Sequence, residues 1–159
     1  MKKDFLDYLI AFAPIIIACF VAWVGYQQYL TAHRKLRLDL YQRRFAVYEA
    51  TLAFYQALID STESESDAFI TIQKTFIRCY RESQFLFDKD SGIYQILDEW
   101  HTQSFKITGF KQQGKDIVND PNALLNMNND HMQALVYFNT AIEQLERKIE
   151  PYLDFRRIV

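Results

Sequence analysis

From Tyr8 to Tyr26 no side chain carries a charge. At about 1.5 Å of rise per residue, such a run covers roughly 28 Å as a helix, close to the ~30 Å hydrocarbon core of a bilayer. Peptide groups in hydrocarbon must find their hydrogen bonds within the segment, so a lone run of this length is a helix and not a strand. Phe5 and Tyr8 stand at one end and Trp23, Tyr26 and Tyr29 at the other, where amphipathic rings favour the headgroup level. Pro14 lies near the middle; it lacks an amide donor and crowds the preceding turn, so it is expected to kink or loosen the helix. Residues 1–30 read as a transmembrane anchor and residues 31–159 as the domain it tethers.

The flanks set the expected orientation. Lys2 and Lys3 precede the run, diluted by Asp4 and Asp7, whereas Arg34, Lys35, Arg37, Arg43 and Arg44 follow it. Cytoplasmic flanks carry the excess of Lys and Arg, which puts the N-terminus outside and the domain in the cytoplasm, anchored in a bacterial inner membrane. The cluster has a plainer reading too, as a topology signal that touches anionic headgroups. A rival reading takes Ile16-Ile17-Ala18-Cys19 as a lipoprotein cleavage box with Cys19 lipidated, although Phe20 to Gly25 continue the apolar run where such proteins turn polar. Ala11, Ala18, Ala22 and Gly25 share one side of the helix. Small residues let transmembrane backbones approach closely, so this side is expected to pack against other copies.

Only four Gly and three Pro occur, and 50% of the chain is hydrophobic, which favours long helices around an apolar core over turn-rich β structure. No Gly or Pro falls between Gln27 and Ile59, so nothing stops the membrane helix from running on unless it breaks near Gly25. At ~100° per residue this stretch carries two apolar stripes. One holds Leu36, Leu40, Val47, Phe54 and Leu58; the other, roughly opposite, holds Leu38, Tyr41, Phe45, Tyr48, Leu52, Tyr55 and Ile59. A surface helix normally has one stripe. Two predict a helix covered by its own bundle on one side and by another subunit on the other, or else the central helix of a monomer.

Asp60 to Asp67 is acidic and Ser-rich and reads as a loop. A second helix is predicted near Ser66 to Phe87, a turn over Asp88 to Gly92, and a third helix near Ile93 to Gln112 with Ser91 as its cap and Gly109 and Gly114 weakening its end, following the usual cap preferences. Asp120-Pro121 reads as the opening of a short helical turn through Leu125. The last helix is expected to start in Asn126 to Asn129, to present Met132, Leu135, Phe138, Ile142, Leu145 and Ile149 on one face, and to kink or end at Pro151. The expected fold class is all-α: one N-terminal transmembrane helix followed by a cytoplasmic bundle of about four helices.

No residue pattern has the spacing of a catalytic centre. The three histidines, His33, His101 and His131, stand far apart, without metal-ligand spacing, and there is no glycine-rich phosphate loop. Cys19 lies in the apolar run and Cys79 stands alone in the domain; this fits a reducing compartment, with Cys79 read as a small buried apolar residue. A net charge of −2 provides no global field for a DNA or RNA duplex. The chain is expected not to be an enzyme and to need no cofactor or metal.

One constellation suits a ligand. Lys74, Arg78 and Arg81 fall within about 60° of one another on the second helix, with Phe85 projecting the same way. Cations beside an aromatic ring suit a phosphate with a stacked base. His101 and Lys106 on the third helix complete the set of candidate ligand-binding residues. The plainer alternative is a solvated basic face.

The stretch Leu38-Asp39-Leu40-Tyr41-Gln42-Arg43-Arg44-Phe45-Ala46-Val47-Tyr48-Glu49-Ala50 resembles a pattern found in small bacterial membrane proteins, where it likewise follows a single N-terminal membrane helix. In length, anchor and helical domain the chain also looks like the membrane-anchored cyclic tetra-adenylate effectors of type III CRISPR systems. That likeness of layout implies a tetrameric antiviral defence protein whose cytoplasmic domain binds a cyclic oligoadenylate and then perturbs the membrane. It rests on no aligned motif and assigns no binding residue. The competing expectation is a membrane-tethered adaptor that binds another protein and no small ligand.

Overall fold

A computed structural model of the chain describes residues 2–60, 66–113 and 121–154, with the side chains of 12–60, 66–112 and 122–154. The described residues form four α-helices and one 3₁₀ turn, with no strand among them: α1 Lys2–Asp60, α2 Asp67–Leu86, the turn Lys89–Ser91, α3 Ile93–Gln113 and α4 Pro121–Leu153. The expected loop at 61–65, Gly114 and the Asp120 cap lie outside the described residues, as do the side chains of Phe5, Tyr8 and Ala11. The chain divides between Asp39 and Leu40 into two compact units.

In the first unit, α1 passes through Pro14 and Gly25 without interruption. No break occurs at the glycine, where a side chain would meet nothing within 4 Å. From Phe12 to Asp39 every described side chain is exposed apart from the half-buried Val24 and Leu30, and Ile16 leaves 67% of its surface uncovered. This part of α1 is long and apolar enough to cross a membrane. Soluble surfaces rarely leave so continuous an apolar area bare.

In the second unit a single core draws on all four helices: Val47, Phe54 and Leu58 from α1, Phe69, Phe76 and Tyr80 from α2, Ile93, Leu97, Trp100 and Ile107 from α3, and Phe138, Leu145 and Ile149 from α4. Rings interlock at its centre, with Phe54 stacked on Phe76 at 4.5 Å and Trp100 edge-on to Phe138 at 5.0 Å. Both are geometries that the ring quadrupole favours. The buried hydroxyls of Thr51, Ser83 and Ser104 donate to the carbonyls of Val47, Tyr80 and His101 in their own helices, so their burial leaves no donor unsatisfied.

The two predicted stripes of α1 part company here. Val47, Phe54 and Leu58 are buried, while Leu36 and Leu40 are exposed. The second stripe forms a rim: the Tyr48 hydroxyl donates to Glu146 at 2.8 Å and that of Tyr55 to Asn139 at 3.0 Å, both on α4, whereas Phe45 and Ile59 remain 42% and 49% exposed. α4 also differs from expectation. It is one helix from Pro121, not a short turn followed by a helix, and Asn126 to Asn129 lie inside it. Asparagine costs at most ~0.7 kcal/mol per helical position, less than the packing of the same helix returns. Its inward stripe is Ala134, Phe138, Ala141, Leu145 and Ile149, and Met132 is left 53% exposed. Pro151 sits in the last turn, two residues before the end at Leu153.

Three long cations close helix ends, where carbonyls lack intrahelical partners. Lys111 Nζ donates to the carbonyl of Leu58 at 2.6 Å, near the end of α1. Arg44 Nε donates to that of Leu86 at 2.9 Å, the last residue of α2. Lys148 Nζ donates to that of Ser91 at 2.7 Å, beside the start of α3. Gly92 follows with φ +72°, a left-handed backbone that calls for glycine; a Cβ there would also lie 2.5 Å from Lys148 Nζ, which the flexible lysine tip could relieve by shifting. Ser66 caps α2 by accepting from the Phe69 amide, and Ser91 Oγ accepts from the Ile93 amide at 3.3 Å.

Candidate functional site

α2 turns Phe69, Phe76, Cys79, Tyr80 and Ser83 inward. At ~100° per residue this leaves positions 74, 78, 81 and 85 pointing away from the core. Lys74, Arg78, Arg81 and Phe85 are accordingly all exposed, Phe85 by 82%.

Between α2 and α3 lies an aromatic seam. The Tyr80 ring stacks on Tyr94 at 5.2 Å and on His101 at 5.7 Å. Phe105 meets His101 edge-on at 4.9 Å. The Arg81 guanidinium stands 5.0 Å over the Tyr80 ring, within cation–π range. The Tyr80 hydroxyl donates to the Asp98 carboxylate in a short hydrogen bond and shares a proton contact of 3.1 Å with the Tyr94 hydroxyl.

The electrostatics follow from this packing. Burial first, then the Asp98 and Tyr94 hydrogen bonds, push the Tyr80 hydroxyl well above its ordinary value, so it remains a donor. Burial and the Arg81 charge hold the His101 imidazole below 6.5, with Asp98 opposing them. Burial raises the Cys79 thiol against the lowering effect of Arg78. A protonated, buried thiol is a packing group and not a nucleophile. No group of three His, Cys, Asp or Glu among the described residues is placed to hold a metal ion.

Of the five predicted ligand residues, Arg81 and His101 are brought together across the seam, and Lys74 and Arg78 continue the exposed face of α2. Lys106 does not join them. It comes five positions after His101, about 140° further round α3, and is half-buried there. Sequence reasoning missed Tyr80, Tyr94, Asp98 and Phe105. The pattern that could have found them is the spacing of four, three and four in Tyr94, Asp98, His101 and Phe105, a second stripe on α3 beside the core stripe. In the first unit Ala18, Ala22 and Gly25 are exposed, and the side chain of Ala11 lies outside the described residues.

The histidines give the fold a pH dependence. His131, stacked on Phe110 at 4.5 Å, is also held below 6.5, by burial and by the Lys111 charge. Below about pH 6.5 the unfolded chain binds protons that the folded chain resists. The stability that neutral His101 and His131 confer is therefore complete above that pH, falls as pH drops through it, and levels off below their folded pKa values. A melting series from pH 8 to 5 should show this decline, flattened by His101→Gln with His131→Gln. A midpoint that rises between pH 6.5 and 5.5 would contradict it.

No protein-family model, curated protein or solved structure matches the chain.

Proposed function

We propose that this chain is a membrane-anchored effector whose helical domain faces the cytoplasm and binds a cyclic oligoadenylate on the outer face of α2. It acts as a homo-oligomer, a tetramer by the resemblance of layout, and ligand binding alters how its membrane helices pack. One observation carries the reading: six cations of the domain divide by what surrounds them. Arg44, Lys111 and Lys148 spend their charge on backbone carbonyls. Lys74, Arg78 and Arg81 stand exposed along α2 instead, with Phe85 and His101 beside them. Guanidinium groups pair with phosphate in charge-assisted hydrogen bonds, and aromatic rings stack on bases.

Cyclic symmetry would repeat that face around an axis and let one ring-shaped ligand meet several copies. The ligand's differential affinity for two packings would then set which one is populated. The same α1 contributes to both units of the chain, which supports a route from ligand to membrane.

Calorimetry on the full-length protein in detergent tests this, with cyclic tetra-adenylate and linear oligoadenylates as ligands. Cyclic tetra-adenylate should bind tighter than about 100 µM, roughly −5.5 kcal/mol. Each lost charge-assisted contact removes ~1.5–3 kcal/mol, so Arg78→Glu with Arg81→Glu should weaken binding at least ~100-fold with helicity unchanged. Absence of binding by any oligoadenylate overturns the sensor reading.

The adaptor reading has one observation in its favour. Leu125, Met132 and Val136 are all more than half exposed on α4, at spacings of seven and four that place them on one face. If the protein is an adaptor, Met132→Glu with Val136→Glu should abolish capture of its partner, and no oligoadenylate should bind.

A further inference from the structure

At the corner where α2 ends and α3 begins, a cleft of about 550 Å³ opens among side chains that include Gln84, Phe85, Lys89, Tyr94 and Gln95. We propose that this cleft is a nucleobase site, taking the adenine of a nucleotide whose phosphate rests on Arg81 and Arg78. This deepens the effector reading and rests on it.

The volume suits a small organic ligand, for which clefts run from ~300 to ~1,000 Å³. Three aromatic residues line it: Phe87, which is buried, and two others that differ in kind. Tyr94 is fixed, its ring stacked on Tyr80 at 5.2 Å and its hydroxyl 3.1 Å from the Tyr80 hydroxyl. Phe85 is bare, 82% exposed, and its ring is available to a flat partner. A base presents such a face whatever its identity.

Selection falls to the amides. Gln84 and Gln95 are both exposed at the cleft, and each offers a carbonyl acceptor beside an NH₂ donor. That pairing matches the adjacent N6 donor and N7 acceptor on the edge of adenine. The cleft's one carboxylate, Asp88, accepts from the Tyr152 hydroxyl at 2.8 Å, and the cation Lys89 lines the same cleft.

The spacing joins the cleft to the cations. Phe85 follows Arg81 by four residues, one turn or ~6 Å along α2 and about 40° around it. A sugar spans that separation, so a base on Phe85 leaves its own phosphate at Arg81. Arg78, a further three residues back, meets the next phosphate of a chain.

The experiment uses the full-length protein in detergent and three probes: adenosine 5′-monophosphate, ribose 5-phosphate and adenosine. The variants are Phe85→Ala, Phe85→Trp and Arg81→Glu. Phe85 is exposed, so unchanged melting is expected of both replacements. Phe85→Ala should weaken adenosine monophosphate at least tenfold, ~1.4 kcal/mol, and leave ribose 5-phosphate as it was; Phe85→Trp should restore the loss. Arg81→Glu should weaken both phosphates and spare adenosine. If adenosine monophosphate and ribose 5-phosphate bind alike, or if Phe85→Ala changes nothing, the cleft is not a base site; the effector reading survives that result wherever cyclic tetra-adenylate still requires Arg78 and Arg81. If adenosine monophosphate and adenosine bind through Phe85 while cyclic tetra-adenylate does not bind, the effector reading falls and the base site stands. If none of the three probes binds, the base site falls; the effector reading falls with it only where cyclic tetra-adenylate does not bind either.

Discussion

Trp100→Ala should cost the helical domain ~3–5 kcal/mol, the range for removing a fully packed aromatic. At roughly 3–6 °C per kcal/mol for a domain of this size, its melting temperature should drop by about 9–30 °C. Trp100 has no exposed surface and is met edge-on by Tyr55 at 6.0 Å and Phe138 at 5.0 Å. It thus ties α3 to both α1 and α4, and its loss opens a void that three helices would have to close together. Its indole Nε1 is buried without a hydrogen-bond partner, a donor whose burial opposes folding by ~1–3 kcal/mol. Trp100→Phe discards that donor along with part of the ring, so it should be much milder than Trp100→Ala. Urea or thermal unfolding followed by circular dichroism decides the matter. Both variants discard the donor, so equal losses would mean that the ring Trp100→Phe retains contributes nothing and would overturn the packing account.

Arg44→Ala should cost ~2–4 kcal/mol, while Arg43→Ala should stay within ~0.5 kcal/mol, the usual range for a surface change. The two arginines are neighbours with different surroundings. Arg43 is exposed. Arg44 is half-buried, donates to the Leu86 carbonyl, and lies 4.9 Å over the Tyr152 ring and 5.8 Å over Phe87. A hydrogen bond from a charged donor contributes ~1.5–3 kcal/mol, and a cation–π contact adds ~0.5–1 kcal/mol. Lysine should not rescue position 44, because a point charge cannot bond a carbonyl edge-on while lying flat across rings. Denaturation midpoints of the three variants test this, and a lysine variant as stable as the parent would refute the planar-stacking account.

The helical class and most boundaries were legible in the residues themselves. Ser66 capping α2 and α3 beginning at Ile93 follow from local chemistry, a side-chain acceptor placed where amides lack partners. The uncharged run predicts a helix by length alone, and α1 supplies one. Where the prediction departed from the structure, tertiary contacts had overruled local preference. The four residues Asn126 to Asn129 look like a helix start until α4 is seen to gain its stability downstream, from Ala134 to Ile149. Basic residues were harder to sort. Arg43 and Arg44 are alike in sequence, and only the position of Leu86, 42 residues away, distinguishes a surface charge from a helix cap. The candidate site was half legible for the same reason. Lys74, Arg78 and Arg81 share a face by periodicity, but their neighbours across the seam come from α3, and a pattern within one helix does not reveal which face of another will meet it.

The hydrogen bonds from Tyr48 to Glu146 and from Tyr55 to Asn139 join positions 98 and 84 residues apart, and this sets a schedule for making the protein. The ribosome adds ~5–20 residues per second, so α1 waits roughly 5–20 s after its own synthesis before the last helix exists. Throughout that interval Val47, Phe54 and Leu58, buried in the finished domain, have no α4 to cover them. Nascent chains in this condition are prone to aggregate or to engage chaperones. The core therefore cannot close until α4 is made, and truncation between α3 and Asn139 leaves the α4 side of α1 uncovered, a ready target for proteolysis.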